Sequence, residues 1–272
     1  MKLDVLKKII FAATLLMFTS TASRANERRF TYTYESGVLS PGQHEVEFWS
    51  TWRGGRANFY SRFDHRVEYE FGVTDRLMSS LYVNWKKISQ MDPTDHNSTT
   101  TEQSFDGVSS EWKYKLLDPV ADALGLALYQ EYTFNNDEFE WENKLILDKK
   151  IGNTLLAYNA TVEPEWEFGP GHRDYEIGVE NTLGVTQFLS PKFSAGLELR
   201  NYNEIKKDST GFEHSALFIG PVVSYSHEQW WITATFLKQL PALKKSLENP
   251  QDKYVLDEHE KTNIRILVSR RF

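Results

Sequence analysis

The sequence predicts an all-β fold, an antiparallel, up-and-down transmembrane β-barrel of about 12 strands. Three features lead to this prediction. Polar and apolar side chains alternate with a period of two, as they do in strands with two different faces. The alternating segments run for about 10–14 residues, close to the roughly 9–11 of a tilted transmembrane strand and longer than the roughly 5–6 of a globular one. Aromatic residues collect near the strand ends.

Residues 1–25 are predicted to be a signal peptide that is removed on export. Three lysines lie within the first eight residues, and the apolar run 9–18 that follows is too short to anchor the chain as a spanning helix. Small residues favour cleavage between Ala25 and Asn26. A short buried helix is the less favoured interpretation. The chain has no cysteine, which excludes a lipoprotein signal.

The composition excludes two classes of protein. The mean hydropathy of −0.52 argues against a bundle of membrane helices, which needs several apolar runs of about 20 residues. Without residues 1–25 the chain keeps 27 Lys and Arg against 37 Asp and Glu, a formal charge of −10, so no nucleic-acid partner is expected. Aromatic residues make up 14% of this polar chain, a share that suits the interfacial belts of a transmembrane barrel.

The clearest alternation runs from Phe59 to Phe71. One face carries Phe59, Ser61, Phe63, His65, Val67, Tyr69 and Phe71, and the other carries Tyr60, Arg62, Asp64, Arg66, Glu68 and Glu70. A helix would mix these two sets because its period is 3.6 residues. The first face is therefore predicted to point to lipid and the second to the barrel interior.

The same pattern continues to the end of the chain. The predicted strands are 43–53, 58–71, 77–87, 107–117, 124–134, 138–148, 154–167, 174–186, 192–203, 214–225, 230–239 and 260–272. Residues 43–272 are thus the barrel, and 26–42 are predicted to be an N-terminal periplasmic lead-in segment. The longest connections, 88–106 and 240–259, follow odd-numbered strands. Because outer-membrane barrels have short periplasmic turns and longer outer loops, both termini are placed in the periplasm.

Outward aromatic residues are predicted to form two belts at the membrane surfaces. The outer belt contains Trp52, Phe59, Trp85, Tyr132, Phe134, Phe139, Trp141, Trp166, Phe168 and Tyr175, and the periplasmic belt contains Tyr69, Phe71, Phe193, Tyr225, Trp230 and Phe272. Between them lie Leu145, Ala160, Val179, Leu197, Ala234 and Ile266. An aromatic-rich globular core would not explain why the rings prefer strand ends.

The last strand resembles the assembly signal of bacterial outer-membrane proteins. One face carries Ile264, Ile266, Val268 and the terminal Phe272. Arg270 departs from the pattern, since a hydrophobic residue is usual there, but its long side chain can reach the headgroups. The resemblance implies outer-membrane lipid and the outer-membrane assembly machinery as partners.

Several local motifs together resemble a family of bacterial outer-membrane barrels described loosely as transporters or as phenol-degradation MetA-pathway-like proteins. They are Tyr32-Thr33-Tyr34-Glu35, Pro41-Gly42 with Glu45 and Glu47, the turn Gly72-Val73-Thr74-Asp75-Arg76-Leu77, and Gly220-Pro221. The resemblance spans most of the mature chain. It implies a barrel fold, and it implies neither a particular transported solute nor catalytic residues.

No enzyme motif is found, and no cofactor or metal is predicted. Ser61 and His65 share the outward face, but four residues of strand separate them by about 13 Å. His214 is interpreted as a solvated residue at a loop edge. Glutamates alternate on two strands, at Glu138, Glu140 and Glu142 and at Glu163, Glu165 and Glu167. A calcium site is the less favoured interpretation of them, and a polar inner wall near the outer mouth is the favoured one.

The charged inner wall is the feature most informative about function. Its candidate pore-lining residues are Arg62, Asp64, Arg66, Glu68, Glu70, Glu131, Glu140, Glu142, Glu163, Glu165, Glu180, Glu198, Arg200 and Arg265. A dry globular core could not hold so many charges, whereas a wet lumen or a dense ion-pair network can. About eight strands leave no channel and 16–18 leave a wide one, so twelve allow either a narrow pore or an occluded lumen.

The favoured hypothesis is an outer-membrane channel of a Gram-negative bacterium for passive passage of small polar or charged solutes, with a weak preference for cations. The alternative is a structural or surface-interaction barrel with an occluded lumen. A lipid-modifying barrel enzyme is the least favoured of the three.

Overall fold

The computed structural model describes residues 27–169, 172–206 and 211–272. They form a closed barrel of twelve antiparallel strands in which each strand pairs with its chain neighbours and β1 pairs with β12. The strands are β1 His44–Gly54, β2 Tyr60–Gly72, β3 Leu77–Met91, β4 Thr99–Leu117, β5 Gly125–Phe134, β6 Glu138–Ile151, β7 Thr154–Gly169, β8 His172–Phe188, β9 Phe193–Lys206, β10 His214–Ser226, β11 Trp230–Gln239 and β12 Thr262–Arg271. The predicted fold is confirmed. The predicted signal peptide, 1–25, and its cleavage site lie outside the described residues.

The two ends of the barrel differ. The turn end holds the start of β1, the end of β12 and short connections such as 152–153. The loop end holds the other six connections, of which 240–261 is the longest. In the part of the chain that the structure describes, no helix is long and apolar enough to cross a membrane.

One predicted long loop is mostly strand. The region predicted as loop 88–106 forms the end of β3 and the start of β4, leaving only 92–98 as a connection. Polar residues dominate here, which suggested a loop, but the β-branched run Thr99–Thr101 favours extended backbone. The Ser89 and Thr101 hydroxyls, on paired residues, also hydrogen bond at 2.9 Å. The hairpin therefore extends beyond the apolar band of the barrel.

The outward face carries neighbouring aromatic rings at both ends. At the loop end a row crosses β5 to β8, in which Phe139 lies 5.0 Å from Phe134 and 5.4 Å from Trp166, centroid to centroid. At the turn end Tyr69 lies 6.3 Å from Phe272. Leu197 and Ile266 are exposed between the rows. Ile264, Ile266, Val268 and Phe272 of the predicted assembly signal share this outward face.

The N-terminal segment is not a periplasmic lead-in where the structure describes it. Residues 27–40, here called the plug, enter the barrel at the turn end, rise to Tyr32 and Tyr34, and return to the turn end before β1. For residues 27–40 the prediction of a periplasmic lead-in, made for 26–42, was wrong, because the segment lacks the strand alternation and was interpreted as a linker. Its apolar side chains are buried inside the barrel, away from water, which favours the docked position of the segment.

The plug contributes to all four buried apolar clusters found among the described residues. Tyr34 packs with Trp49 and Tyr129, and Tyr32 packs with Phe218. Phe30 contributes to the third cluster, and Val38 and Leu39 lie with Met78 in the fourth. Full burial of one such side chain contributes roughly 1.5–3 kcal/mol, so the plug is a stably docked part of the fold.

Candidate functional site

Two inward side chains of the barrel hold the apex of the plug. The Glu198 carboxylate of β9 accepts the backbone N–H groups of Tyr32 at 2.7 Å and Thr33 at 2.6 Å. The Asn159 amide of β7 accepts the N–H of Tyr34 at 2.6 Å and donates to its carbonyl oxygen at 3.0 Å. These contacts satisfy the backbone of a segment that no strand ladder joins to the barrel.

The plug also carries a cation into an acidic part of the wall. The Arg28 guanidinium lies 3.9 Å from the ring centroid of Tyr34 and 4.7 Å from that of Trp49. Its Nη1 is 3.8 Å from Glu47, whose fully buried carboxylate accepts no hydrogen bond from the described residues. Arg28 is therefore the cation that the plug places beside this buried carboxyl group.

The long loop 240–261 folds over part of the loop end of the lumen. Its Val255 exchanges two hydrogen bonds with the Gln239 side chain, at 2.8 and 3.0 Å, and packs in the cluster of Tyr32. His259 faces His214 with 3.0 Å between the two Nε2 atoms. His214 is fully buried, so its interpretation as a solvated residue was wrong, because the loop folds over it. Burial, with Arg200 and His214 nearby, lowers the pKa of His259 well below its usual range.

A cavity lies on each side of the plug. The loop-end cavity has a volume of about 270 Å³, and the turn-end cavity about 1070 Å³. Tyr34 lines both, with Trp49 and Tyr129 among the side chains around it. Tyr34, a residue of the plug, thus lies between the two cavities.

Ten of the fourteen candidate pore-lining residues line the loop-end cavity. They are Arg62, Asp64, Arg66, Glu131, Glu140, Glu142, Glu163, Glu180, Arg200 and Arg265. Glu165 lies near its mouth in contact with Glu138. Glu68, Glu70 and Glu198 face inward but are buried beside or beneath the plug. The alternation identified inward residues, and it could not show which of them the plug covers.

Many of these charges pair across neighbouring strands. Asp64 lies 2.8 Å from Arg53 and 2.6 Å from Arg62. Arg66 reaches Glu131 at 3.0 Å, and Arg200 reaches Glu180 at 2.5 Å. Such ion pairs restrain the side chains of the wall. These inward charges are therefore paired with each other and are not exposed to a wide aqueous pore.

Two groups of carboxylates come close enough together to suggest metal ligands. Glu45, Glu47 and Glu70 form the first group. The Glu45 oxygens are already used by the Trp231 indole N–H at 2.6 Å, by Ser269, and by Arg271 at 2.9 Å. Glu138, Glu140 and Glu165 form the second, at the mouth of the loop-end cavity. Within the described ranges no further His, Asp or Glu ligand joins either group, and neither is assigned a metal.

The residues that divide the lumen were not predicted from the sequence as site residues. Phe30, Tyr32 and Tyr34 stand at alternate positions in a segment that was taken for a linker. Asn159 was one inward polar residue among many. The available signal was the row of aromatic side chains in 30–34, too apolar for an exposed lead-in.

Solved structures with the same fold are outer-membrane barrels. The COG4313 outer membrane channel from Pseudomonas putida F1 is 10% identical, with a TM-score of 0.61 over 90% of this chain and 100% of that one. The β domain of the Bordetella autotransporter BrkA is 12% identical, with a TM-score of 0.55 over 86% and 100%. The NanC porin is 12% identical, with a TM-score of 0.52 over 83% and 98%. At these identities the likeness shows the fold alone.

No curated protein matches the chain in sequence. A family model does match, over residues 22–272, and its description is a family of unknown function. The matched range includes the plug as well as all twelve strands. Because the match covers nearly the whole chain, the protein belongs to that family, DUF6662.

Proposed function

We propose that the protein is a channel in the outer membrane of a Gram-negative bacterium, for small polar or charged solutes, and that the plug holds it closed at rest. The observation that carries this proposal is the pair of cavities that approach Tyr34 from opposite ends of the barrel. The outer-membrane channel and porin among the structural neighbours support it. So do the motifs that resemble MetA-pathway-like transporter barrels.

Opening requires only movement of the plug. Residues 27–40 enter and leave at the same end, and an isolated bridge between Pro41 and Gly72 lies just beyond them. The segment can therefore withdraw without breaking the ladder of any strand. Water replaces the hydrogen bonds that the plug backbone makes with Glu198 and Asn159 when it does so. The burial of Tyr34 and its neighbours opposes withdrawal and keeps the resting state closed.

The decisive experiment compares conductance in planar bilayers. We expect the mature chain to conduct poorly, and Tyr34→Ala to raise the single-channel conductance several-fold by joining the two cavities. Tyr34→Phe is the matched control, because it keeps the ring between Trp49 and Tyr129. It should conduct like the unaltered chain.

A second candidate function is a structural or surface-interaction barrel with an occluded lumen. The observation that favours it is filling from both ends, by the plug and by loop 240–261, which meet at Tyr32 and Val255. On this alternative, Tyr34→Ala conducts no better than the unaltered chain although it is folded in lipid. That result would remove the channel proposal.

We propose no enzymatic step. The Ser61 hydroxyl accepts the Trp52 indole N–H at 3.0 Å, and His65 stacks on Phe63 with ring centroids 5.9 Å apart. Both side chains are thus engaged on the outward face in contacts unrelated to each other. The third hypothesis, a lipid-modifying enzyme, gains no support from them.

A further inference from the structure

The charges around the loop-end cavity are segregated between opposite walls, apart from Asp106 on β4 and Arg200 on β9, which lie between those walls. The basic wall is formed by β12, β1 and β2, and its charged lining residues are Arg265, Arg53, Arg62 and Arg66 with one acid, Asp64. The acidic wall is formed by β5 to β8, and its charged lining residues are Glu131, Glu140, Glu142, Glu163 and Glu180 with one base, Lys144. β1 and β7 lie six strands apart in a barrel of twelve, so the two walls face each other.

The basic wall holds an arginine without a carboxylate. The Arg265 guanidinium donates to the Thr51 hydroxyl at 2.8 Å and lies 3.8 Å from the ring centroid of Tyr32. Over the residues that the structure describes, no acidic side chain lies within ion-pair distance of it. Its charge is therefore not cancelled by an ion pair, whereas Arg53 on the adjoining strand is paired with Asp64 at 2.8 Å.

The acidic wall holds glutamates without a base. Lys144 pairs with Glu142 at 2.8 Å, and Arg200 pairs with Glu180. No lysine or arginine among the described residues lies within ion-pair distance of Glu140 or Glu163. These two carboxylates line the cavity on the side away from Arg265.

We propose, on the basis of the proposed channel function, that the loop-end cavity selects zwitterionic solutes, small molecules that carry one carboxylate and one ammonium group. The carboxylate points to Arg265, and the ammonium points to Glu140 and Glu163. Fixed charges of opposite sign on facing walls produce a field across the cavity, and a low-dielectric surround strengthens it. A molecule with a large dipole aligns with this field, whereas a singly charged molecule meets repulsion from one wall.

The size of the cavity agrees with a small solute. Its volume of about 270 Å³ lies just below the roughly 300–1,000 Å³ of pockets that enclose drug-sized ligands. Tyr32 and Tyr34 of the plug form part of its lining, so a solute bound there touches the side chains that close the barrel. The same cavity can thus admit a solute and act on the plug.

The test is binding of linear ω-amino acids, from glycine to 6-aminohexanoate, to the full mature chain in detergent. Hexylamine, hexanoate and 1,6-hexanediol are the matched singly charged and neutral probes. Calorimetry should show at least one amino acid binding about tenfold more tightly than each matched probe, a difference of about 1.4 kcal/mol. The cavity lies on the loop-end side of Tyr34, so binding does not require the plug to move.

Charge variants separate a binding role from a structural one. Arg265→Gln should lose the preference for amino acids and bind hexylamine better than the unaltered chain does. Glu163→Gln should lose amino-acid binding without gaining hexylamine. Lys87→Gln and Glu102→Gln, both exposed at the loop end and outside the cavity lining, are the controls.

The outcomes distinguish this proposal from the channel itself. If Tyr34→Ala conducts but no amino acid binds better than its singly charged probes, the zwitterion proposal is wrong and the channel stands. Amino-acid binding without any conductance from Tyr34→Ala would keep the site and remove the channel. Equal effects of Arg265→Gln and Glu163→Gln on all probes would also overturn the proposal.

Discussion

At the scale of single residues, one glycine makes room for the plug. Gly184 faces inward on β8, and a Cβ placed on it would lie 2.5 Å from the Phe30 ring. A ring cannot share that space with a side chain, because real contacts of a Cβ are longer. Gly184 is thus part of the seat of the plug.

We expect Gly184→Val to expel Phe30 and loosen the plug while the twelve-strand barrel stays folded. In the unaltered chain Arg28 and Arg29 are buried, so trypsin should not cut after them. In Gly184→Val, mass spectrometry after limited trypsin digestion should show a fragment that begins at Phe30. Ala195→Val, on the outward face of β9, is the control and should resist cleavage. Resistance of both variants would contradict this description of the seat.

Single residues also show which parts of the site could be predicted from the sequence. Arg62, Asp64 and Arg66 were assigned inward by strand alternation alone, because a period of two sorts side chains to two faces without further information. Asn159 could not be assigned a role in the same way. Its importance comes from the Tyr34 backbone, 125 residues away in sequence, and no local pattern encodes such a contact.

At the scale of elements, the plug carries a pH-sensitive group. Burial, with Asp148 adding to it and Arg29 opposing it, raises the pKa of Glu35 to about 7 from 4.5. The docked plug therefore holds a proton that the released plug loses above about pH 4.5. Docking is strongest below that pH and weakens as the pH rises through 7.

We expect channel opening to follow this titration. Conductance of the mature chain should rise between about pH 4.5 and pH 7 and level off above it, by the linkage of proton binding to docking. Glu35→Gln should flatten this rise, since glutamine does not titrate and mimics the protonated acid. Conductance that falls with rising pH in the unaltered chain would have the wrong sign for this mechanism.

The strands make a separate prediction about the two faces. Val179 on β8 pairs with the exposed Val162 and points outward, as does the exposed Leu197 on β9. Glu176 lies two residues before the cavity-lining Gly178 on the same strand and therefore shares its inward face.

An arginine at the bilayer midplane costs about 2–4 kcal/mol. Val179→Arg and Leu197→Arg should therefore reduce the heat-modifiable form recovered from outer membranes, and Glu176→Arg should reduce it less. Equal recovery of all three would mean that the faces are interchanged.

The elements that the sequence predicted well are those with a repeating signal. The strand β11, for example, was predicted as 230–239 and is Trp230–Gln239. The plug has no repeat, and its conformation depends on the wall built by later strands. The β3–β4 hairpin was shortened in the prediction because its polar tip beyond the apolar band has the composition of a loop.

At the scale of the whole molecule, two distributions of charge act in different directions. Across the lumen, the basic and acidic walls carry charges of opposite sign, and their net charges nearly cancel in sum. Along the axis they do not, because Glu138, Glu165 and Glu176 lie at the loop end of the acidic wall. The separation of charge across the lumen favours a solute with a large dipole. The excess of acidic residues at the loop end discriminates between cations and anions at the mouth.

We therefore propose a weak preference for cations in the open channel. Carboxylates at a narrow mouth raise the local concentration of cations, and rings of acidic side chains favour them in other channels. The basic residues Arg62, Arg66, Lys113, Lys115 and Arg200 oppose this field, and several of them are paired with acids. The preference should be measurable and small.

Reversal potentials of Tyr34→Ala under a salt gradient test this preference. The cation preference should be greatest at low salt and should fade as the Debye length falls from about 30 Å at 0.01 M to about 3 Å at 1 M. Adding Glu138→Gln and Glu165→Gln to Tyr34→Ala should reduce it, because they remove charge at the mouth. Adding Glu102→Gln, which is exposed outside the cavity lining, should leave it unchanged. A preference for anions in Tyr34→Ala would refute the argument from charge at the mouth.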